Sequence, residues 1–266
     1  MWNEETVARL NAWYKSPPGA FALLQEHALF QNLVSAWPRR GRTLLDVGCG
    51  TGVFLKMFWE YGFEITGVDV TETLLAEART HLDKADFRLG PLDHLPFDDG
   101  EFDYVALLSV LEYADDPGAI LAEALRVAAR GVVLGFMNAW SLYRISAALP
   151  WQAAQNRRNG RWMSAPQVVR ILRAMCPDCR ITTRSALFGP PGTWKNARWA
   201  EKLNRLVPHL PVGAYMGLRV DTETQRPLTP LLLKAREQAL AVCSRLRPQP
   251  GEGAVTRSLT HRRRSR

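Results

Sequence analysis

The stretch TLLDVGCGTGVFL, from Thr43 to Leu55, decides the fold of this 266-residue chain. Residues 44–47 (LLDV) are too few for a helix and end at a glycine, which predicts a short buried strand. Residues 53–59 (VFLKMFW) carry the apolar load of a helix. Between them lie three glycines, at positions 48, 50 and 52, which allow the backbone to come close to a small ligand. A strand, a glycine loop and a helix therefore predict a ligand site here.

Strands and helices alternate along most of the remaining chain. The first forty residues favour helices with a break at 16–19 (SPPG), and later helices are predicted over 72–82, with Thr71 as N-cap, and over 117–129, opened by Pro117. Besides the first strand, six more are predicted, over 64–69, 86–89, 102–108, 131–136, 180–187 and 214–221. This alternation favours an α/β fold with a parallel sheet covered by helices on both faces.

The spacing of the glycines narrows the class of ligand. A dinucleotide site follows the pattern G-x-G-x-x-G/A, whose third small residue allows close packing of helix on strand. In this chain Val53 stands at that third position, and the glycines instead follow G-x-G-x-G. This departure disfavours NAD. An acid, Asp69, ends the second predicted strand and can accept hydrogen bonds from a ribose.

Four motifs in order resemble the class I S-adenosylmethionine-dependent methyltransferases, in particular their type 11 small-molecule branch. The motifs are LLDVGCGTG, GVDVTETLLAEAR, LPFDDGEFDYV and LEYADDP. The resemblance is in register over about 40–140 and looser over 1–39 and 164–221. It implies a Rossmann-like sheet of seven strands, mostly parallel, with the last strand antiparallel. It also implies transfer of a methyl group from S-adenosyl-L-methionine to a small molecule.

The resemblance also implies which residues bind the cofactor. They are Asp46, Gly48, Cys49, Gly50, Gly52, Asp69, Val70, Leu92 and Ser109. The glycine loop would approach the methionyl and ribose parts, and Asp46 would orient the loop and attract the cationic end of the ligand. Asp69 would accept from both ribose hydroxyls, Val70 would pack on the adenine, and Ser109 would lie beside the cofactor after the fourth strand.

One position departs from the family pattern on the adenine side. Relatives commonly carry an acid near the adenine amino group where this chain has Pro91. The backbone of Leu92 can still meet the adenine ring, and Asp93 can substitute for the missing acid. The effect of Pro91 on adenine binding stays open at the level of sequence.

Two insertions, at about 140–163 and 189–211, are expected on the acceptor side of the domain. Residues 140–211 carry 12 lysines and arginines against 2 acids, together with five tryptophans: Trp140, Trp151, Trp162, Trp194 and Trp199. With arginines such as Arg144, Arg157, Arg158 and Arg161, these aromatics suit an anionic or aromatic acceptor, or a headgroup at a membrane surface. Alternatively, the tryptophans form a small core and the arginines a solvated face. Both readings stay open.

The sequence does not identify a catalytic base. Methyl transfer needs a base only when the acceptor must lose a proton. Glu112 and Tyr113 are expected to face the region near the methyl group, but neither is assigned a catalytic role. Cys176 and Cys179 have no second cysteine pair to complete a zinc site, so they are predicted to lie in a turn between a helix and a strand, and no metal is expected.

Residues 1–222 are expected to form the methyltransferase domain, and 223–266 a C-terminal helix followed by a disordered basic tail. The tail region holds 10 lysines and arginines against 3 acids, so nucleic acid is a candidate partner and an RNA methyltransferase is one alternative function. A non-catalytic binding protein with the same fold is the other. Neither a signal peptide nor a membrane span is visible, and a cytoplasmic location is expected.

Overall fold

The computed structural model describes residues 4–147, 160–195 and 210–222, all within the compact unit Met1–Thr224. Seven strands form a single sheet: β1 (Thr43–Val47), β2 (Glu64–Asp69), β3 (Asp86–Leu89), β4 (Phe102–Leu108), β5 (Ala128–Met137), β6 (Arg180–Ala186) and β7 (Tyr215–Asp221). The described helices are α1 (Glu4–Lys15), α2 (Pro17–Val34), α3 (Val53–Glu60), α4 (Glu72–His81), α5 (Pro117–Val127), α6 (Leu142–Ala147) and α7 (Ala165–Met175).

The order of the strands across the sheet is β3–β2–β1–β4–β5–β7–β6. Neighbours from β3 to β5 pair in parallel, whereas β7 is antiparallel to both β5 and β6. The predicted Rossmann-like fold, with its last strand antiparallel, is therefore confirmed. The direction in which successive strands are added to the sheet reverses between β1 and β4, and open α/β sheets bind ligands at such a switch point.

Helices cover both faces of the sheet because its central strands are apolar on both sides. In β1, Leu44 packs into a core shared with α2, α3 and α4, while Leu45 and Val47 pack into a second core shared with α5 and α7. The first core is rich in aromatic rings, among them Phe30 and Phe58. No helix within the described residues is long and apolar enough to cross a membrane.

Several element bounds differ from the sequence predictions by one to three residues, and the largest shift is at the start of β5, predicted at 131 and observed at Ala128. The helix predicted over 117–129 ends at Val127, because Ala128 already pairs with Phe102 at the start of β5. The strand predicted over 180–187 ends at Ala186, because Leu187 takes a positive φ of 67° that no strand continues.

The segment around the paired cysteines is a turn between α7 and β6, as predicted. Cys176 is the C-cap of α7, and its sulfur is joined to that of Cys179 in a disulfide, which the sequence did not predict. The predicted C-terminal helix (230–247) and the basic tail lie outside the described residues, and so do Trp151, Arg157, Arg158 and Trp199. The proposed domain boundary at 222 stays a prediction.

Candidate functional site

The candidate site lies where the carboxyl ends of three neighbouring parallel strands meet. The glycine loop follows β1, Asp69 is the last residue of β2, and Ser109 follows β4 directly. Because β1 pairs with both β2 and β4, the fold brings these three segments to one edge of the sheet. The motifs that the sequence analysis singled out are thus adjacent in space.

The three glycines of the loop differ in how closely other residues pack against them. All have positive φ, at 72° for Gly48, 54° for Gly50 and 78° for Gly52, a region that favours glycine. A Cβ on Gly48 would lie 2.5 Å from Val110 Cγ2, and one on Gly52 would lie 3.1 Å from Ala78 Cβ. A Cβ on Gly50 would meet nothing within 4 Å. Two glycines therefore allow close packing, while Gly50 borders open space in which a ligand can lie.

Asp69 ties the glycine loop to the start of α4. Its Oδ2 accepts a hydrogen bond from the Gly50 amide at 3.0 Å, and its Oδ1 accepts one from the Thr71 amide at 2.9 Å. Burial raises the pKa of Asp69, and these hydrogen bonds act in the opposite direction. Each carboxylate oxygen has a second lone pair, so the residue can still accept from a ligand hydroxyl.

Asp46 is the most deeply buried acid of the site, with only 2% of its surface exposed. In the described part of the chain its Oδ1 has no hydrogen-bond partner. Burial raises the pKa of Asp46 to about 8, and the nearby Asp69 carboxylate adds to the shift. Asp46 is therefore mostly protonated at neutral pH, and a cation placed beside it would favour its ionised form.

The expected adenine side forms the outer rim of the site. Val70 is 57% exposed at the end of β2, and Leu92 is half-buried. The Cδ1 atom of Leu92 lies 3.3 Å from the place that a Cβ on Gly48 would take, so the side chain borders the loop. Pro91 and Asp93 are both exposed. The structure brings Leu92 to the site and leaves Asp93 in solvent.

A small cavity of about 30 Å³ lies beside Ser109, on the side away from the adenine rim. Its lining includes Ser109, Glu112, Tyr113, Met137 and Trp162. Glu112 is buried, and its Oε1 accepts a hydrogen bond from the Met137 amide at 2.7 Å. The cavity has room for about two water molecules. Glu112 and Tyr113 thus lie beside Ser109 at this cavity, and their expected place near the methyl group stays a prediction.

An aromatic cluster packs beside this cavity. The ring of Tyr143 lies 5.5 Å from that of Trp162 and 5.3 Å from that of Trp194, and Trp13 on α1 lies 6.5 Å from Trp194. The guanidinium of Arg144 sits 5.4 Å from the centre of the Trp162 ring. Of the described tryptophans in this region, Trp162 and Trp194 thus belong to a packed cluster that borders the cavity, a result consistent with both readings of the sequence.

Two residues that support the site were not found from the sequence. The His81 ring, at the end of α4, donates from Nδ1 to the Thr51 carbonyl at 2.8 Å and so fixes the glycine loop. Tyr215, on β7, makes a 2.8 Å hydrogen bond to Ser109. Neither position has a local sequence signal, because each contact joins segments that only the folded sheet brings together.

Comparison with known proteins found similarity to methyltransferases. Residues 45–136 match a family model described as a methyltransferase domain, type 11. A malonyl-[acyl-carrier protein] O-methyltransferase of Serratia marcescens is 34% identical over 159 residues, which cover 59% of this chain and 62% of that protein. A ubiquinone biosynthesis O-methyltransferase of Thiobacillus denitrificans is 33% identical over 99 residues, 35% of this chain and 43% of that protein.

A solved structure resembles this chain over a longer stretch than the two O-methyltransferases do. A Thermotoga maritima S-adenosylmethionine-dependent methyltransferase, described as a possible histamine N-methyltransferase, superimposes with a TM-score of 0.62 at 20% identity, covering 83% of this chain and 98% of its own. This likeness concerns the fold alone. The chain spans less than two thirds of the length of the two O-methyltransferases.

Proposed function

We propose that this chain, which carries a class I methyltransferase domain of type 11 over residues 45–136, transfers a methyl group from S-adenosyl-L-methionine to a small-molecule acceptor. The proposal is supported by the named activities of the two related O-methyltransferases. It is also supported by a loop whose glycine spacing departs from the dinucleotide pattern at Val53. The cytoplasmic location stays a prediction.

The observation that carries the proposal is the buried acid beside an open loop. Asp46 Oδ1 has no hydrogen-bond partner among the described residues, although burial of an unpaired polar atom is costly. The open space at Gly50 lies in the glycine loop that directly follows β1, the strand that carries Asp46. A ligand with a cationic end and a ribose diol fits this pair of features, because Asp46 can accept from the cation and Asp69 from the diol.

Under the proposal, residues of this chain bind the cofactor and align the acceptor with its methyl group. Asp46 and Asp69 hold the cofactor at the glycine loop, with Val70 and Leu92 against its adenine. When bound, S-adenosylmethionine supplies an electrophilic methyl group. Residues around the cavity, including Glu112 and Tyr113, hold the acceptor atom in line and keep water away, which is the main contribution that a displacement of this kind requires. No base is assigned.

The proposed acceptor is anionic or aromatic. Trp162 lines the cavity and is part of the aromatic cluster, so an acceptor that places its reacting atom at the cavity has an aromatic ring to pack against. Arg161 also lines the cavity and adds positive charge at its rim. A nucleic-acid acceptor is the rival, since the tail region is basic.

The test follows where the methyl group goes. Purified protein is incubated with S-adenosylmethionine labelled on the methyl group and with a cell extract, which is then separated at about the size of small metabolites. After unreacted S-adenosylmethionine is removed, and relative to the same extract without added protein, we expect new labelled compounds in the low-mass fraction and markedly less label when Asp69→Asn replaces the native protein. Label in RNA, DNA or protein, or no label in any fraction, contradicts the proposal.

The proposed preference of the enzyme for an anionic acceptor is tested with three matched probes. Protocatechuate, catechol and dopamine share the same dihydroxyphenyl nucleophile and carry a carboxylate, no charge and an ammonium group. Protocatechuate should be methylated fastest and dopamine slowest, and Arg161→Gln should reduce this preference, because it removes the cation at the rim. Preference for dopamine would contradict an anionic acceptor.

A further inference from the structure

Tyr215 places a hydroxyl group deep in the core. The residue is 1% exposed at the start of β7, and its ring meets Phe30 edge-on at 6.0 Å. Gly135 on β5 makes room for the hydroxyl, since a Cβ there would lie only 2.5 Å from Tyr215 Oη. Phenylalanine would fill the same space without burying a polar atom. Packing alone therefore does not explain why this residue carries a hydroxyl group.

The hydroxyl of Tyr215 bonds to Ser109 Oγ at 2.8 Å. Burial raises the pKa of Tyr215 well above its ordinary value, and the charges of Glu26 and Glu112 act in the same direction, so the phenol keeps its proton. If Ser109 were the donor, that phenol proton would be left buried without this acceptor, which is unfavourable. Assigning Tyr215 as the donor satisfies the buried phenol proton and leaves the hydroxyl proton of Ser109 available for another partner.

Ser109 is held in an unusual backbone conformation at the site. Its φ is 57°, a left-handed value that is uncommon for residues other than glycine, asparagine and aspartate. Its amide donates to the Gly135 carbonyl at 2.8 Å. The side chain lines the cavity, and the next residue, Val110, packs on Gly48. Ser109 thus stands between the cavity and the glycine loop.

We propose that Tyr215 is a positioning residue, which fixes the Ser109 hydroxyl as a hydrogen-bond donor to S-adenosylmethionine. This inference rests on the proposed function. The carboxylate of the methionyl group is the anionic hydrogen-bond acceptor that such a donor suits. Backbone strain at Ser109 and burial of the Tyr215 phenol are both unfavourable, so they persist only where the surrounding structure holds them in place. Here both act on the hydroxyl group of Ser109.

The test is a double-mutant cycle on cofactor affinity, measured by calorimetric titration with S-adenosylmethionine. Tyr215→Phe and Ser109→Ala should each weaken binding about three- to tenfold, the worth of one hydrogen bond. The double variant should bind no more weakly than Ser109→Ala alone, because Tyr215 acts through Ser109. Equal binding by Tyr215→Phe and the native protein, or a further loss in the double variant, would overturn the inference.

Tyr104→Phe is the matched control. Tyr104 is also buried, on β4, where its ring stacks on Trp37 at 4.2 Å. Both tyrosine variants can lower the melting temperature, but only Tyr215→Phe should change the affinity for S-adenosylmethionine. Failure of the native protein to bind S-adenosylmethionine would refute the proposed function itself, whereas native binding with an unchanged Tyr215→Phe variant would refute only the role of Tyr215.

Discussion

At the scale of single residues, Gly50 allows ligand binding to be separated from folding. A methyl group added there meets no protein atom within 4 Å, and the same is true of Gly41, which has a φ of 63°. Alanine at either position should lower the free energy of unfolding by about 1 kcal/mol, because both backbones are left-handed. Only Gly50→Ala should weaken binding of S-adenosylmethionine, by about tenfold or more, because its methyl group takes space from the ligand.

Chemical denaturation and calorimetric titration of the two glycine variants measure these quantities. Gly41→Ala is the control for backbone strain, since Gly41 precedes β1 and is not part of the loop. Native cofactor affinity in Gly50→Ala would show that the open space beside Gly50 does not hold the ligand.

A second residue, Asp46, should give the free protein a characteristic pH dependence. Its pKa in the fold is about 8, against 3.8 for an ordinary aspartate. Because the folded value is the higher one, the stability that Asp46 contributes is complete below the unfolded pKa and is lost as pH rises toward the folded pKa. Asp46→Asn has no charge to bury, so we expect it to be more stable than the native protein at pH 7, with a smaller difference at pH 5.

Urea denaturation without ligand at both pH values measures this difference. Asp69 also has a raised pKa and its carboxylate contributes to that of Asp46, so the difference reports the pair of acids rather than Asp46 in isolation. The same variant should bind S-adenosylmethionine more weakly, since the acid that attracts the cation is gone. Unfolding free energies of the two proteins that differ by the same amount at pH 5 and pH 7 would contradict burial of a neutral Asp46.

At the scale of elements, α5 begins beside the candidate site and depends on its cap. Asp116 Oδ1 accepts from the Gly118 amide at 2.8 Å and from the Ala119 amide at 3.2 Å. Asp116→Ala should therefore lower the free energy of unfolding by about 1 kcal/mol. The neighbouring exposed Asp115 does not cap the helix, so Asp115→Ala is the matched control and should cost less. Equal losses in urea denaturation would show that the cap does not stabilise α5.

Local patterns predicted the elements well where strand signals were bounded by turn residues. The predicted bounds of β2, β3 and β4 are those of the structure, because each run of apolar or β-branched residues is followed by a polar or glycine-containing turn. The bounds moved where tertiary pairing prevails over propensity, as at Ala128, which joins β5 although its neighbours favour a helix. Thr71 is the N-cap of α4, but its amide bonds to Asp69 and its side chain does not cap the helix.

At the scale of the whole molecule, the sequence predicted contacts between neighbouring motifs of the candidate site far better than contacts between distant strands. Asp46, Asp69 and the glycine loop lie within one stretch of 24 residues, 46–69, and belong to the first two motifs. The bond between Ser109 and Tyr215 spans 106 residues and depends on an antiparallel strand inserted beside β5. A contact at that separation leaves no periodicity or spacing in the chain, so only the folded sheet reveals it.

The charge of the chain is likewise organised on the scale of the molecule. Residues 1–139 hold 11 lysines and arginines against 20 acids, whereas 140–211 hold 12 against 2. The acidic part contains the residues proposed to bind a cationic cofactor, and the basic part begins directly after β5. This division is consistent with one end of the site that favours the cofactor's positive charge and another that favours an anionic acceptor.

The most direct test of the account is calorimetric titration of the full chain with S-adenosylmethionine, with NAD as the control ligand and Asp69→Asn as the control variant. Asp69→Asn preserves the size of the side chain while removing a charged acceptor for ribose hydroxyls. The account predicts saturable binding of S-adenosylmethionine, markedly weaker binding by Asp69→Asn and none of NAD. A folded protein that binds NAD instead, or that does not bind S-adenosylmethionine, would contradict it.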